Sequence, residues 1–311
     1  MRPPAWQDRE TRDRLRECEP WPCYYEFRAA EVGLAKERCT LPSTGVLLEI
    51  GCGNAFQSFL LRQDFSLVIG TDLPDHDSGS HSPGLWSAAL LRSILRFDAL
   101  RLVASAGERV PLRASTVDFV FTSNVLEHVH DQRATVAEIW RVLKPGGRAL
   151  VVVPAAMERI YNFPISYLAM VRAALRGVRA HGGASRGGPA GNPTAGVPGG
   201  EPSRWARTRR FFQARYPTFP FPKPHGNYPS STAEFLAHRP ARWERLFRSQ
   251  GFQVERTFTT VLAPHTLGQA VSDRFAYVIA KIGGPVTRAW GGLPVIKRLG
   301  TTYALLVVKG R

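Results

Sequence analysis

Glu49-Ile-Gly-Cys-Gly-Asn-Ala55 follows the short apolar run Val46 to Leu48, and an acid, Asp72, stands twenty-one residues beyond Gly51. A residue without a Cβ lets the backbone turn sharply and approach a ligand closely. A carboxylate at the tip of the next strand is placed to accept hydrogen bonds from a ribose diol. The chemistry suggested is therefore recognition of a nucleotide-like molecule by a strand, a glycine turn and a second strand ending in an acid. Spacing separates two versions of that reading. A dinucleotide fingerprint needs a further glycine three positions after Gly53, for close contact between helix and strand. Phe56 stands there instead, and it is too bulky for that contact.

The elements that must position these residues are legible downstream. Leu67 to Thr71 reads as strand two, ending at Asp72. Val117 to Thr122 reads as strand four and runs into Ser123-Asn-Val-Leu-Glu-His-Val129. Val136, Ile139, Trp140 and Leu143 recur at helical spacing, and Pro145-Gly-Gly147 stops that helix before a strand at Ala149 to Val153. Strands alternating with helices point to an α/β fold with a parallel sheet.

Glu49 ahead of Gly-x-Gly, together with Trp140-Arg-Val-Leu-Lys-Pro-Gly-Gly147, resembles the class I S-adenosylmethionine (SAM) methyltransferases of the type 11 group. The resemblance covers about residues 45–154. It implies a Rossmann-like, seven-stranded sheet with helices on both faces, parallel except for an antiparallel seventh strand, and SAM as cofactor. In that family Gly51, Cys52 and Gly53 pass beneath the methionine moiety, Glu49 helps position its amino group, and Asp72 accepts both ribose hydroxyls. Ser123, at the end of strand four, belongs to the same cofactor-facing set. Two positions depart from the pattern. Ala55 replaces a common third glycine, and the adenine-contacting acid aligns near Ala106. Either Glu108 stands in for that acid, or Ala106 and Gly107 recognise adenine through main-chain groups.

Methyl transfer from a sulfonium needs alignment of the nucleophile and, for a neutral hydroxyl, removal of its proton. His128 is the first candidate base, since an imidazole accepts a proton near neutral pH; a packed, hydrogen-bonded histidine is the competing reading. Glu127 either contacts the acceptor or orients the loop. His225, in Pro224-His-Gly-Asn-Tyr228, is the second candidate base. No Asn/Asp-Pro-Pro-aromatic motif follows strand four and no Pro-Cys nucleophile occurs, which disfavours amino methylation of bases and carbon-5 methylation of cytosine.

The chain has 311 residues, 44% apolar, with a formal net charge of +16 carried mainly by arginine. Residues 1–44 are expected as an N-terminal helical cap, 45–154 as the SAM-binding core, 155–230 as a basic, partly disordered insertion, and 231–311 as the rest of the core with strands six and seven. Between Arg159 and Ala233 ten arginines and Lys223 face the single acid Glu201. So localised a charge suits an anionic partner such as phosphate, an acidic glycan or lipid head groups. Tyr161 to Ala180 can form a basic amphipathic helix, and Gly182 to Pro202 is a Gly/Pro/Ala/Ser tract. Asp75, His76, Asp77 and His81 are read as polar loop, and no metal is expected. Cys18, Cys23, Cys39 and Cys52 show no paired Cys-x-x-Cys spacing and suit reduced thiols, with a disulfide among the first three left open. The absence of a leader-like apolar segment or an eighteen-residue apolar run suggests a cytoplasmic protein, peripheral to a membrane if it touches one. The leading expectation is O-methylation of a small molecule, saccharide or lipid-linked glycan. Alternatives are a quinone or isoprenoid-lipid methyltransferase, an RNA-binding protein or RNA methyltransferase using the basic insertion, and a catalytically silent partner subunit.

Overall fold

The computed structural model describes residues 5–19, 24–42, 44–74, 84–165, 167, 228–261 and 273–310. The Asp75–His81 loop, Cys23, the basic stretch around Arg172, Arg176 and Arg179, the Gly182–Pro202 tract and His225 lie outside the described residues.

Two helices come first, α1 (Arg9–Cys18) and α2 (Tyr24–Arg38). The core then alternates β1 (Val46–Ile50), α3 (Phe56–Leu61), β2 (Leu67–Asp72), α4 (Leu85–Ile94), β3 (Leu100–Ala104), β4 (Val117–Ser123), α5 (Gln132–Val142) and β5 (Leu143–Pro154). Residues 156–165 are helical. The chain then supplies α6 (Ser231–Ala237), α7 (Pro240–Ser249), β6 (Phe252–Phe258), α8 (Asp273–Trp290), α9 (Ile296–Leu299) and β7 (Thr302–Lys309). The seven strands form one sheet in the order β3-β2-β1-β4-β5-β7-β6. β7 runs antiparallel to β5 and β6, and the remaining pairs are parallel.

The central strands are buried on both faces, which is why β1 reads Val-Leu-Leu-Glu-Ile without alternation. Leu47, Phe119, Phe121 and Leu150 pack on one face with Phe56 and Phe59 of α3 and Leu91 of α4. Leu48, Val120 and Val151 pack on the other with Ile139 of α5 and Trp243 and Phe247 of α7. Strand order reverses between β1 and β4, and the carboxyl ends of strands at such a switch point form a crevice for ligands.

One local reading is corrected. Leu143 continues the helical spacing of α5, yet it is buried at the start of β5 and pairs with Val117. Its amide closes the last helical hydrogen bond, to Ile139. Gly146 then takes a left-handed φ of 75° within a ladder whose register shifts between Val117 and Phe119. Helix α8 carries Pro285 inside it. Cys18, Cys39 and Cys52 are buried free thiols. Burial pushes Cys18 up to about 11 and Cys39 up to about 12, so both stay protonated and unreactive at neutral pH.

Candidate active site

The glycine turn between β1 and α3 is built by its backbone. The Gly51 and Cys52 amides both donate to the Thr71 carbonyl, at 2.8 and 2.9 Å, which folds the turn back over the tip of β2. Gly51 and Gly53 hold φ of 69° and 51°, and a Cβ on Gly51 would meet the Val125 side chain at 2.2 Å. Glycine is therefore required at 51 by conformation and by space together. Ala55 is also left-handed, at φ 60°, in the place where the family pattern often has glycine. Cys52 directs its sulfur at Gly70 and offers a ligand only its main chain. Across the turn the Gly53 amide donates to Asp72 Oδ2 at 2.7 Å, and the Leu73 amide donates to Oδ1 at 2.8 Å. The acid at the tip of β2 is thus locked in orientation beside the turn.

Glu49 is buried beneath the turn and accepts from both the amide and the hydroxyl of Ser58. It ties the end of β1 to α3, and burial pushes its carboxyl up to about 8. Ser123 sits at the end of β4 and accepts from Arg28 Nη1 at 3.2 Å and Asn124 Nδ2 at 3.1 Å.

Arg28 leads to a cluster that the sequence reading did not single out. It lies on α2 and pairs with the buried Glu31 at 3.0 Å. Glu31 also accepts from Gln57 at 2.7 Å, Ser123 at 3.3 Å and Thr260 at 3.2 Å, joining α2 to α3, to the end of β4 and to the residues after β6. The guanidinium lies over the Tyr24 ring at 5.3 Å, and the Tyr24 hydroxyl donates to Asn54 Oδ1 at 3.3 Å. Two buried donors in this cluster, Arg28 Nε and Asn54 Nδ2, have no hydrogen-bond partner among the described residues. The sequence signal available for the cluster was an Arg-Glu pair three residues apart on a helix that opens with Tyr24, Tyr25 and Phe27.

Beyond β3, a Cβ on Gly107 would press on Thr135 and Ile50 at 3.1 and 3.2 Å. Glu108 Oε1 accepts from the His130 and Asp131 amides at 2.9 and 3.1 Å. That oxygen ties Glu108 to the loop that leads into α5. Ala106 remains in the turn itself, its carbonyl accepting from Arg109.

After β4, His128 and Glu127 part company. The His128 side chain is 38% exposed, whereas the Glu127 side chain is fully buried and lies 3.8 Å from His128 Nε2. Neither Glu127 oxygen has a hydrogen-bond partner among the described residues. Burial first, then the neighbouring Glu158 charge, pushes Glu127 up to about 8. Glu158 is itself raised to about 7, by burial and then by Glu234. Glu127 borders a cleft of about 350 Å³ with Gln132, Tyr228, Arg242 and Leu246. Arg242 donates to Gln132 at 2.7 Å and Gln132 donates to the Tyr228 hydroxyl at 3.2 Å, which fixes one wall. Among the described residues no cluster of His, Cys, Asp and Glu has the makings of a metal site.

A glycine turn at the switch point, a locked acid at the tip of β2 and the β3-β2-β1-β4-β5-β7-β6 sheet define a class I SAM-dependent methyltransferase domain. A family model described as "Methyltransferase domain" matches residues 48–151. A probable SAM-dependent methyltransferase of Mycolicibacterium smegmatis is 31% identical over 108 residues, 35% of this chain and 37% of the relative. The malonyl-[acyl-carrier protein] O-methyltransferase of Serratia marcescens is 32% identical over 110 residues, 35% of this chain and 38% of the relative. The chain thus spans little more than a third of the length of these relatives. Among solved structures, the YcgJ protein from Bacillus subtilis aligns over 90% of this chain and 98% of its own, with 12% identity and a TM-score of 0.46.

Proposed function

We propose that the chain transfers the methyl group of SAM to an oxygen atom of a small-molecule, saccharide or lipid-linked acceptor. The observation that carries this reading is the pair of orphaned donors, Arg28 Nε and Asn54 Nδ2, in a cluster joined to the glycine turn whose Gly53 amide holds Asp72. A buried donor left without a partner costs ~1–3 kcal/mol, and a bound carboxylate removes that cost. The methionine end of SAM presents such a carboxylate, and its ribose presents a diol that suits Asp72. Gly51, Cys52 and Gly53 line the turn with main chain, and Glu49 fixes the turn from below. Adenine then falls to the main-chain groups of Ala106 and Gly107, and Ser123 holds Arg28 in place at the end of β4.

Bound SAM supplies an electrophilic methyl on a sulfonium; the chain supplies alignment and a proton acceptor. We assign that acceptor to Glu127. It is buried, without a hydrogen-bond partner among the described residues, beside a cleft, and burial raises its carboxyl to about 8, so it acts as a base on the alkaline side of neutrality. His128, exposed and 3.8 Å away, takes second place. One relative's name specifies O-methyl transfer, in keeping with an oxygen acceptor.

Calorimetry with SAM and S-adenosylhomocysteine tests the reading. Wild type should bind both, and Asp72→Ala should weaken binding by about 1–3 kcal/mol, the cost of unpaired polar groups. Gly53→Arg should abolish it by filling the turn. No binding by well-folded wild type, or normal binding by Gly53→Arg, would refute it.

A further inference from the structure

Helix α8 has two unlike faces. The inner one is fixed to α2: Gly284 lies against Ala30, Arg288 pairs with Glu37 at 2.8 Å, the Arg288 carbonyl accepts from Arg38 at 2.6 Å, and Thr287 is buried. On the opposite side Val278, Ile282, Val286 and Trp290 recur every four residues, and Leu293 and Val295 continue the run into α9. These six side chains are 45 to 68% exposed. Scattered exposed apolar residues are ordinary, but a continuous row of large ones on an anchored helix marks a contact surface.

Charge and position say which contact. From Arg274 to Arg311 the sequence holds seven basic residues and no acid. Arg298 flanks the row at an exposed position. Trp290, with an apolar body and a polar N–H, suits the boundary between lipid chains and water. The Tyr161 hydroxyl donates to the Leu299 carbonyl at 2.9 Å, so the helical residues 156–165 meet the end of α9. From there the chain enters the stretch whose ten arginines and Lys223 oppose a single acid. An apolar row bordered by cations complements an anionic bilayer surface: the side chains enter the acyl boundary while the cations meet the head groups. No helix among the described residues is long and apolar enough to cross a membrane, so the contact is interfacial.

We propose that the outward face of α8 and α9 docks on an anionic lipid bilayer. The same helix packs on α2, which carries Arg28 and Glu31, and β7 begins at Thr302 beside the Thr260 that bonds Glu31. Docking therefore sets the cofactor-side edge of the sheet at the lipid surface, where an acceptor held in lipid is within reach. The surface does not depend on methyl transfer, and a chain that failed to bind SAM would still dock.

Flotation of the full chain tests this, with vesicles of phosphatidylcholine alone and of phosphatidylcholine mixed with phosphatidylglycerol. Wild type should float with the mixed vesicles and far less with the neutral ones. Ile282→Glu combined with Val286→Glu should cut flotation about tenfold, since a charge placed in the acyl boundary opposes insertion. Circular dichroism and SAM affinity should stay unchanged, because neither side chain is on the face that meets α2. Arg298→Glu should lower flotation in low salt alone. The proposal is overturned if wild type does not float, or if the double variant floats as well as wild type. It is overturned too if flotation is lost only on charge reversal at Arg172, Arg176 and Arg179. A wild-type dimer in light scattering that the double variant turns to monomer would assign the face to a second copy instead.

Discussion

Glu127 and His128 are neighbours in sequence with opposite surroundings, and that difference is why we assign proton removal to Glu127. A buried carboxyl with no hydrogen-bond partner among the described residues holds its proton until pH approaches about 8, whereas an exposed imidazole faces water. Glu127→Gln should lower turnover about a hundredfold, the usual worth of a general base, with SAM affinity unchanged. Wild-type turnover should rise with pH toward about 8 as Glu127 loses its proton, and then level off. The Glu127→Gln enzyme should lack that rising limb and the His128→Ala enzyme should keep it. Pre-steady-state rates across pH check the assignment, and the reverse pattern would exchange the two roles. Asn54→Leu removes one orphaned donor while leaving the glycines in place, so SAM affinity should drop; the Tyr24 hydroxyl and the Phe56 amide lose their acceptor too, so stability should fall by ~1–3 kcal/mol for each.

At the scale of elements, α2 is tied to the sheet by a buried cluster. It reaches α3, the end of β4 and the residues after β6 through one buried carboxylate, Glu31. Glu31→Ala strips Arg28, Gln57, Ser123 and Thr260 of a shared acceptor, and each buried group left unpaired costs ~1–3 kcal/mol. Urea unfolding should show that loss, and the SAM dissociation constant should rise because Arg28 loses its anchor. The turn into α3 carries a second strain point. Ala55 sits at φ 60° without the freedom of glycine, at a cost of ~1–2 kcal/mol for an L-residue. Ala55→Gly should recover about 1 kcal/mol in the same measurement, less the added flexibility of the unfolded chain.

For the whole molecule the buried acids shape stability. Glu49 and Glu127 have an ordinary value of 4.5 and titrate in the folded chain only near 8, with Glu158 near 7. Between those limits the folded state holds more protons than the unfolded one, so stability falls as pH rises. The stabilisation is complete below about 4.5 and is lost as pH climbs through about 7 to 8. The thermal midpoint of the ligand-free protein should therefore fall across that window, and Glu127→Gln should flatten the fall because glutamine carries no charge to bury. Calorimetric scans at a series of pH values check this, and an unchanged slope in the variant would place the cause elsewhere.

What the sequence determined by itself was whatever depends on neighbours along the chain. Gly51, Gly53 and Asp72 were legible because a strand, a tight turn and the next strand tip form a local unit whose spacing is set by backbone geometry. The doubly buried strands were legible as unbroken apolar runs, and Pro145-Gly-Gly147 as the break before β5, though not Leu143 as its first residue. The tertiary structure decided everything that needs a partner far along the chain. Arg28 and Glu31 became part of the site only because Ser123 and Thr260, 92 and 229 residues from Glu31, meet them at one edge of the sheet. The bonds of Glu108 to the His130 and Asp131 amides also needed the fold to bring the two loops together. Glu127 and His128 could not be ranked without knowing which one the fold buries. The apolar face of α8 was equally hidden, since a helix pattern says that two faces differ and only the packing of α2 says which one is left to the outside.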